Sequence, residues 1–195
     1  MKKLFTFLML FSATFCFSQV EFGAKAGATY STYKPGGYDN EVFGEYYEHK
    51  PGFYVGGFVD VVIEGNLNVQ ADVLLSQTGT ILNHTKRPYD FKRTVTDYDI
   101  AVPVMLQYNF LGLYAEAGGQ IRFGLSREYE YEGYEPQYMF YDDNDGTDIV
   151  YGISFGIGYN ISDHFSIGGR YFIESNNNER KEIARGFSFG IGYSF

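Results

Sequence analysis

The stretch from Phe187 to Phe195 alternates a bulky apolar side chain with glycine or serine down to its last residue. A half-buried strand of a soluble protein also has period two, but its second face meets water and carries charge or long polar groups. Here the second face carries almost nothing. Bulk on one side and small residues on the other suit a narrow barrel whose outside meets lipid and whose inside is crowded.

Period two, followed along the chain, predicts eight segments of the ~9–11 residues with which a tilted strand crosses hydrocarbon. The first turns Phe22, Ala24, Ala26, Ala28 and Tyr30 outward; the second Phe53, Val55, Gly57, Val59, Val61 and Ile63; the third Leu67, Val69, Ala71, Val73 and Leu75. The fourth shows Tyr98, Ile100, Val102, Val104, Leu106 and Tyr108, and the fifth Leu113, Ala115, Ala117, Ile121, Phe123 and Leu125. The sixth offers Ile149, Tyr151, Ile153, Phe155, Ile157 and Tyr159, the seventh Phe165, Ile167, Tyr171 and Ile173, and Phe187 opens the eighth.

No Asp, Glu, Lys or Arg falls on the outward face in the central part of any of these segments. A basic side chain there would cost ~2–4 kcal/mol at mid-bilayer. The inward rows do carry charge, at Lys25, Asp60, Asp72, Glu116, Arg122, Arg170 and Glu174. A soluble barrel of lipocalin type would show the reverse. The connections alternate as well: tight turns at 64–66, 111–112 and 160–163, longer stretches at 34–52, 78–95, 127–148 and 175–183. That is the asymmetry between periplasmic turns and exterior loops. Outward aromatics form two girdles, Phe22, Tyr108, Phe110, Tyr159, Phe165, Tyr193 and Phe195 near the turns, and Tyr30, Phe53, Tyr98, Tyr129, Tyr151 and Tyr171 near the loops. The reading is all-β: an eight-stranded antiparallel up-and-down transmembrane β-barrel. Pro103, in mid-strand, lacks the N–H that a ladder needs, so a bulge or kink is expected there.

Lys2 and Lys3 precede an apolar run from Leu4 to Phe17 that is too short to span a bilayer as a helix, and Cys16-Phe17-Ser18 supplies small residues at the cleavage-determining positions. Residues 1–18 are read as a secretory signal peptide and 19–195 as the barrel domain. A lipoprotein signal acylated on Cys16 is disfavoured, because Phe15 stands where that signal needs a small residue. Cleavage removes the only cysteine, leaving no disulfide or thiolate site. It also removes two positive charges and no negative one, taking the formal net charge from −9 to −11, which argues against nucleic acid as a partner.

Four motifs occur in order: Pro51-Gly52-Phe53-Tyr54-Val55-Gly56-Gly57, then 69–79 (VQADVLLSQTG), then Ile100-Ala101-Val102-Pro103-Val104, then Gly112-Leu113-Tyr114-Ala115-Glu116-Ala117-Gly118. Together they resemble the successive motifs of the PorT-like outer-membrane β-barrel family. The resemblance implies an eight-stranded barrel in the outer membrane; separately, the C-terminal strand is expected to engage the barrel-insertion machinery. The resemblance implies no shared activity, since a fold hosts many functions. Ala101 stands where members usually carry an acid, so no interior role is transferred to that position.

Eight strands enclose side chains but no aqueous channel. The inward charges are therefore expected to pair, Arg170 and Arg122 facing Glu116, Asp72 and Asp99, with Lys25 available to the same acids. Glycines on the neighbouring strands (Gly152, Gly156, Gly158, Gly186, Gly190, Gly192) either make room for Arg170 and Phe172 or simply ease strand coiling. Outside, residues 127–148 carry eight acids and five tyrosines, and Tyr129 and Tyr131 continue the lipid-facing parity. Asp142 to Asp148 has the oxygen donors of a calcium loop, but a register with Gly146 sixth puts Tyr141 first and Gly152 last, so the EF-hand pattern fails. The clusters Lys86-Arg87 and Lys92-Arg93 suit lipopolysaccharide. The histidines, His49, His84 and His164, lack a nearby serine nucleophile motif. The expected function is an integral outer-membrane protein without enzymatic activity, anchoring loops for adhesion, envelope structure or association with secretion machinery. No catalytic, cofactor or metal residue is assigned. The alternative is a lipid-modifying enzyme at the extracellular rim.

Overall fold

The computed structural model describes residues 20–35, 45–84, 91–133, 149–176 and 182–195. Eight antiparallel strands, β1 (Val20–Pro35), β2 (Glu45–Glu64), β3 (Leu67–His84), β4 (Phe91–Phe110), β5 (Leu113–Gly133), β6 (Ile149–Asn160), β7 (Phe165–Asn176) and β8 (Glu182–Ser194), pair in chain order. The ring closes through β1 and β8, from Gly23↔Ser194 to Pro35↔Glu182. The periodicity-two reading of eight strands holds throughout the barrel wall. The leader, Cys16 included, lies outside the described residues.

The molecule is apolar outside and polar within. Val73, Ile153, Phe155, Ile157, Phe189 and Ile191 are all exposed, while Asp72, Asp99, Ser154 and Glu174 are buried. This inversion follows from the solvent: in hydrocarbon the outward rows need no water, and closure leaves no unpaired edge facing lipid. At the turn end, Leu111 and Gly112 both have positive φ, 52° and 84°, the backbone twist of a two-residue hairpin turn. The Phe195 amide donates to the Phe22 carbonyl at 2.9 Å, tying the end of the chain to β1.

Two of the expected loops, 34–52 and 78–95, are more than half strand, and a third, 127–148, begins as strand. β2 to β5 run 20, 18, 20 and 21 residues, whereas β6, β7 and β8 run 12, 12 and 13. Residues 45–52, 78–84, 91–95 and 127–133 thus continue the sheet instead of forming loops. The excess of ~8 residues over β6, β7 and β8, at ~3.3 Å each and a tilt near 40°, raises a four-stranded palisade about 20 Å above those three strands, with β1, at 16 residues, intermediate.

Two bulges sit at the base of this palisade. On β2 the register slips by one residue between His49↔Thr80 and Tyr54↔Ser76; on β5 it slips between Tyr98↔Ser126 and Asp99↔Gly124, leaving Leu125 as the extra residue. Each slip reverses the parity above it. Tyr129 and Tyr131 therefore do not continue the lipid-facing row. Tyr129 pairs with Val95 and Tyr131 with Arg93, on the inner face, and Glu128, Glu130 and Glu132 take the outside. Tyr129 is accordingly not part of the outer girdle.

Pro103 causes no bulge. It pairs with Gln120 on the β5 side, and on the β3 side pairing lapses at Asp72 and Val73 and resumes in the same register at Leu74↔Ala101. A two-residue gap in one ladder accommodates the missing N–H, and the ring of Pro103 is buried against the lumen.

Candidate functional site

Two tiers of ions fill the lumen. In the tier nearer the turns, Arg170 on β7 bonds Glu116 through Nε and, at 3.1 Å, through Nη2, while its Nη1 reaches Asp72 at 2.5 Å. Lys25 stands 3.5 Å from the same Asp72 and 5.0 Å from the centre of the Phe58 ring. Gln107 donates to Glu116 and bridges to Gln70, both at 2.8 Å, and Gln70 donates to Asp72. Two cations and two carboxylates balance.

In the upper tier, Arg122 on β5 bonds Glu174 through Nε at 3.1 Å and Asp99 through Nη1 at 3.2 Å, and lies over Phe172. Gln120 donates to Glu174 and accepts from Ser154 at 2.7 Å. Higher still, Arg127 clamps Asp97 at 2.6 and 3.2 Å. The expected pairing of Arg170, Arg122 and Lys25 with Glu116, Asp72 and Asp99 is what forms, and Glu174 joins it. Removing ions from water costs several kcal/mol each unless they are paired and hydrogen-bonded, which is the reason these residues meet.

The glycines make the space. A Cβ at Gly156 would collide with Glu116 and Arg170, at Gly158 with Tyr114, at Gly190 with Tyr54, at Gly186 with Phe172 and at Gly152 with Glu174. Room for long inward side chains is supported, and so is close strand coiling, since a Cβ at Gly152, Gly158, Gly186 or Gly190 would also overlap a carbonyl of the neighbouring strand. Between the tiers remains a cavity of 60 Å³, lined among others by Lys25, Tyr54, Gln120, Arg122 and Arg170. That volume holds a few waters.

A set of hydroxyls, not anticipated from the sequence, joins β1 to β3 above the ion tiers. Where β2 slips, β1 reaches beneath it to β3. Thr29 Oγ1 donates to the Gln77 carbonyl at 2.7 Å, and Ser31 Oγ both donates to the Gly79 carbonyl at 3.1 Å and accepts from its amide at 2.9 Å. Thr32 meets Thr80 at 3.1 Å and Tyr33 meets Thr78 at 2.9 Å, and Thr78 in turn accepts from Arg122 at 2.7 Å. Gly52 permits this, since a Cβ there would overlap the Gln77 carbonyl. The run Thr29-Tyr30-Ser31-Thr32-Tyr33 was the available signal.

The rim shows no hydrolytic constellation among the described residues. His49 stacks on Tyr30 at 4.9 Å and His84 on Phe91 at 5.0 Å. His164, at a turn, approaches the Ser194 carbonyl with Nδ1 at 3.0 Å. Lys92 and Arg93 do not act as one cluster: as neighbours on a strand they face opposite ways, Lys92 outward to Glu132 at 3.2 Å and Arg93 inward, 5.9 Å from the centre of the Tyr129 ring. Lys86, Arg87 and the Asp142–Asp148 segment lie outside the described residues.

A closed ring of eight tilted strands, lipid-compatible outside and filled by paired ions inside, defines an integral β-barrel of the outer-membrane class. The sequence model for the outer membrane protein beta-barrel domain matches residues 12–173, so the chain belongs to that family and resides in the outer membrane. Among solved structures, the outer membrane protein OprG from Pseudomonas aeruginosa is similar at 15% identity and TM-score 0.50, over 91% of this chain and 96% of that one, and shows the fold. Neisserial surface protein A (16% identity, TM-score 0.49, covering 89% and 97%) and the attachment invasion locus protein Ail of Yersinia pestis (13%, 0.47, covering 91% and 99%) are also similar. No curated protein matches the chain in sequence.

Proposed function

We propose that this outer-membrane barrel has no enzymatic activity and serves as a rigid anchor presenting the β2–β5 palisade to partners outside the cell, in adhesion, envelope structure or association with envelope machinery. The observation that carries this reading is the continuation of four hydrogen-bonded strands well beyond the length of β6, β7 and β8. An element that only crossed the membrane would need no more than the 12 residues of β6 or β7. The ion-filled lumen supports it by leaving no path for transport. The resemblance to the PorT-like family adds secretion machinery to the partner classes.

Replacing residues 80–95 by an Asn-Gly turn would leave Gly79 and Thr96 paired and remove the β3–β4 tip. The shortened protein is expected to insert with normal heat-modifiable mobility and to lose surface cross-linking to its partners. Full replacement of the wild-type protein by the shortened one in cells would refute the reading. So would lipid hydrolysis by the purified barrel that disappears in His49→Ala or His84→Ala.

A further inference from the structure

Resting on that reading, we propose that the outer face of the palisade tip binds neutral hexopyranose units of the glycolipids in the protein's own outer leaflet. The site is the row Tyr46, Asn83, Lys92 and Glu132, one residue from each of β2 to β5, paired directly across the sheet. Strands lie ~4.8 Å apart, so the row spans about 14 Å.

Its height and direction fit this occupant. Gln77 and Tyr98, hydrogen-bonded at 3.0 Å, mark the interfacial row on the same face. Asn83 and Lys92 lie six residues further along β3 and β4, about 15 Å higher at the barrel tilt. That places the row beyond the headgroups, facing sideways across the membrane surface, where the sugars of a neighbouring glycolipid stand.

The chemistry fits as well. A shallow, open surface at the tip is lined by all four residues and by Glu48, with His84 and Phe91 of the adjacent row at its edge. Tyr46 is 58% exposed and offers a ring face on which an apolar sugar face can lie. The Asn83 amide has no hydrogen-bond partner among the described residues and brings both donor and acceptor, as vicinal hydroxyls require. Lys92 neutralises Glu132 through contacts of 3.2 and 3.3 Å, yet both keep hydrogen-bonding capacity to spare. With Glu48 adding negative charge, the site disfavours phosphate and favours an uncharged polyhydroxylated ligand. The two bulges create it, because in the unshifted registers Tyr46 and Glu132 would face inward.

The test uses the full-length barrel in detergent micelles and, as probe, the dephosphorylated oligosaccharide released from the glycolipid of the producing strain, titrated by saturation-transfer NMR. Wild type is expected to bind, Tyr46→Ala to weaken binding by ~10-fold or more, and Tyr46→Ala with Asn83→Ala to abolish it. Thr94→Ala, on the same face one row lower, should bind as wild type. All variants should keep their heat-modifiable mobility, since the altered side chains are not in the core. Absence of binding by wild type, unchanged binding in the double variant, or competition by inorganic phosphate would each overturn the site. Those results would leave the palisade's wider role to be judged separately by the hairpin-shortened protein.

Discussion

Arg170→Ala tests whether the lumen is held by its ions. Arg170 makes three hydrogen bonds, two to Glu116 and one to Asp72, with its side chain only 13% exposed. Truncation leaves Asp72 with Lys25 at 3.5 Å and leaves Glu116 with the Gln107 amide and no cation in contact. Breaking a buried pair by removing one partner costs ~3–5 kcal/mol, a change of roughly 10²–10⁴-fold in the folding equilibrium. Arg170→Met with Glu116→Gln removes one charge of each sign and keeps Lys25 with Asp72, so it is expected to recover most of that loss. The assay is urea unfolding in lipid vesicles, followed by heat-modifiable gel mobility, with single-channel recording alongside. Conductance should stay at background in both variants, because Arg122 and its partners still close the lumen above. An unchanged urea midpoint in Arg170→Ala, or a double variant no more stable than the single one, would refute the reasoning.

Three further outcomes are expected. Gly156→Val should destabilise the barrel by ~1–3 kcal/mol through overpacking against Glu116 and Arg170, whereas Gly119→Val, on the open lipid face, should shift the urea midpoint little; equal effects would remove the glycine cradle from the account. Val73→Arg, at a 60% exposed mid-strand site, should cost ~2–4 kcal/mol in vesicles, and a cost within ±0.5 kcal/mol would mean that this face does not meet lipid. Leu111→Asn should raise stability by ~0.5–1 kcal/mol by relieving the positive φ at that turn, and a lowered midpoint would count against strain there.

The barrel wall was legible because lipid enforces parity: along Val69, Ala71, Val73 and Leu75 every second residue must be apolar, and the alternation survives without any tertiary knowledge. The interior partners followed from the same rule, since Arg170 and Glu116 had nowhere else to point. Above the membrane that constraint ends. The outer face there meets water and not lipid while the inner face keeps Leu82, Phe91 and Val95 buried, so Glu128-Tyr129-Glu130-Tyr131-Glu132 still alternates, and one bulged residue, Leu125, inverts the side that the lipid-facing parity predicts. The run of hydroxyls through Ser31 and Thr32 was visible, but what it bonds to was illegible for a related reason. Their partners on β3 lie 48 residues away and become reachable only where β2 departs from its ladder.

The pairing that closes the ring joins the two most distant parts of the described chain, Gly23 to Ser194. Every other ladder links consecutive strands and can form as soon as a hairpin does. This one cannot begin until the eighth strand exists, and its loop-closure entropy falls due in a single late step. Until then β1 and β8 are two bare edges whose amides and carbonyls hydrocarbon cannot satisfy. Seven hairpin ladders can pair without the seam, but both bare edges are satisfied in hydrocarbon only by the ladder that the thirteen residues of β8 make with β1.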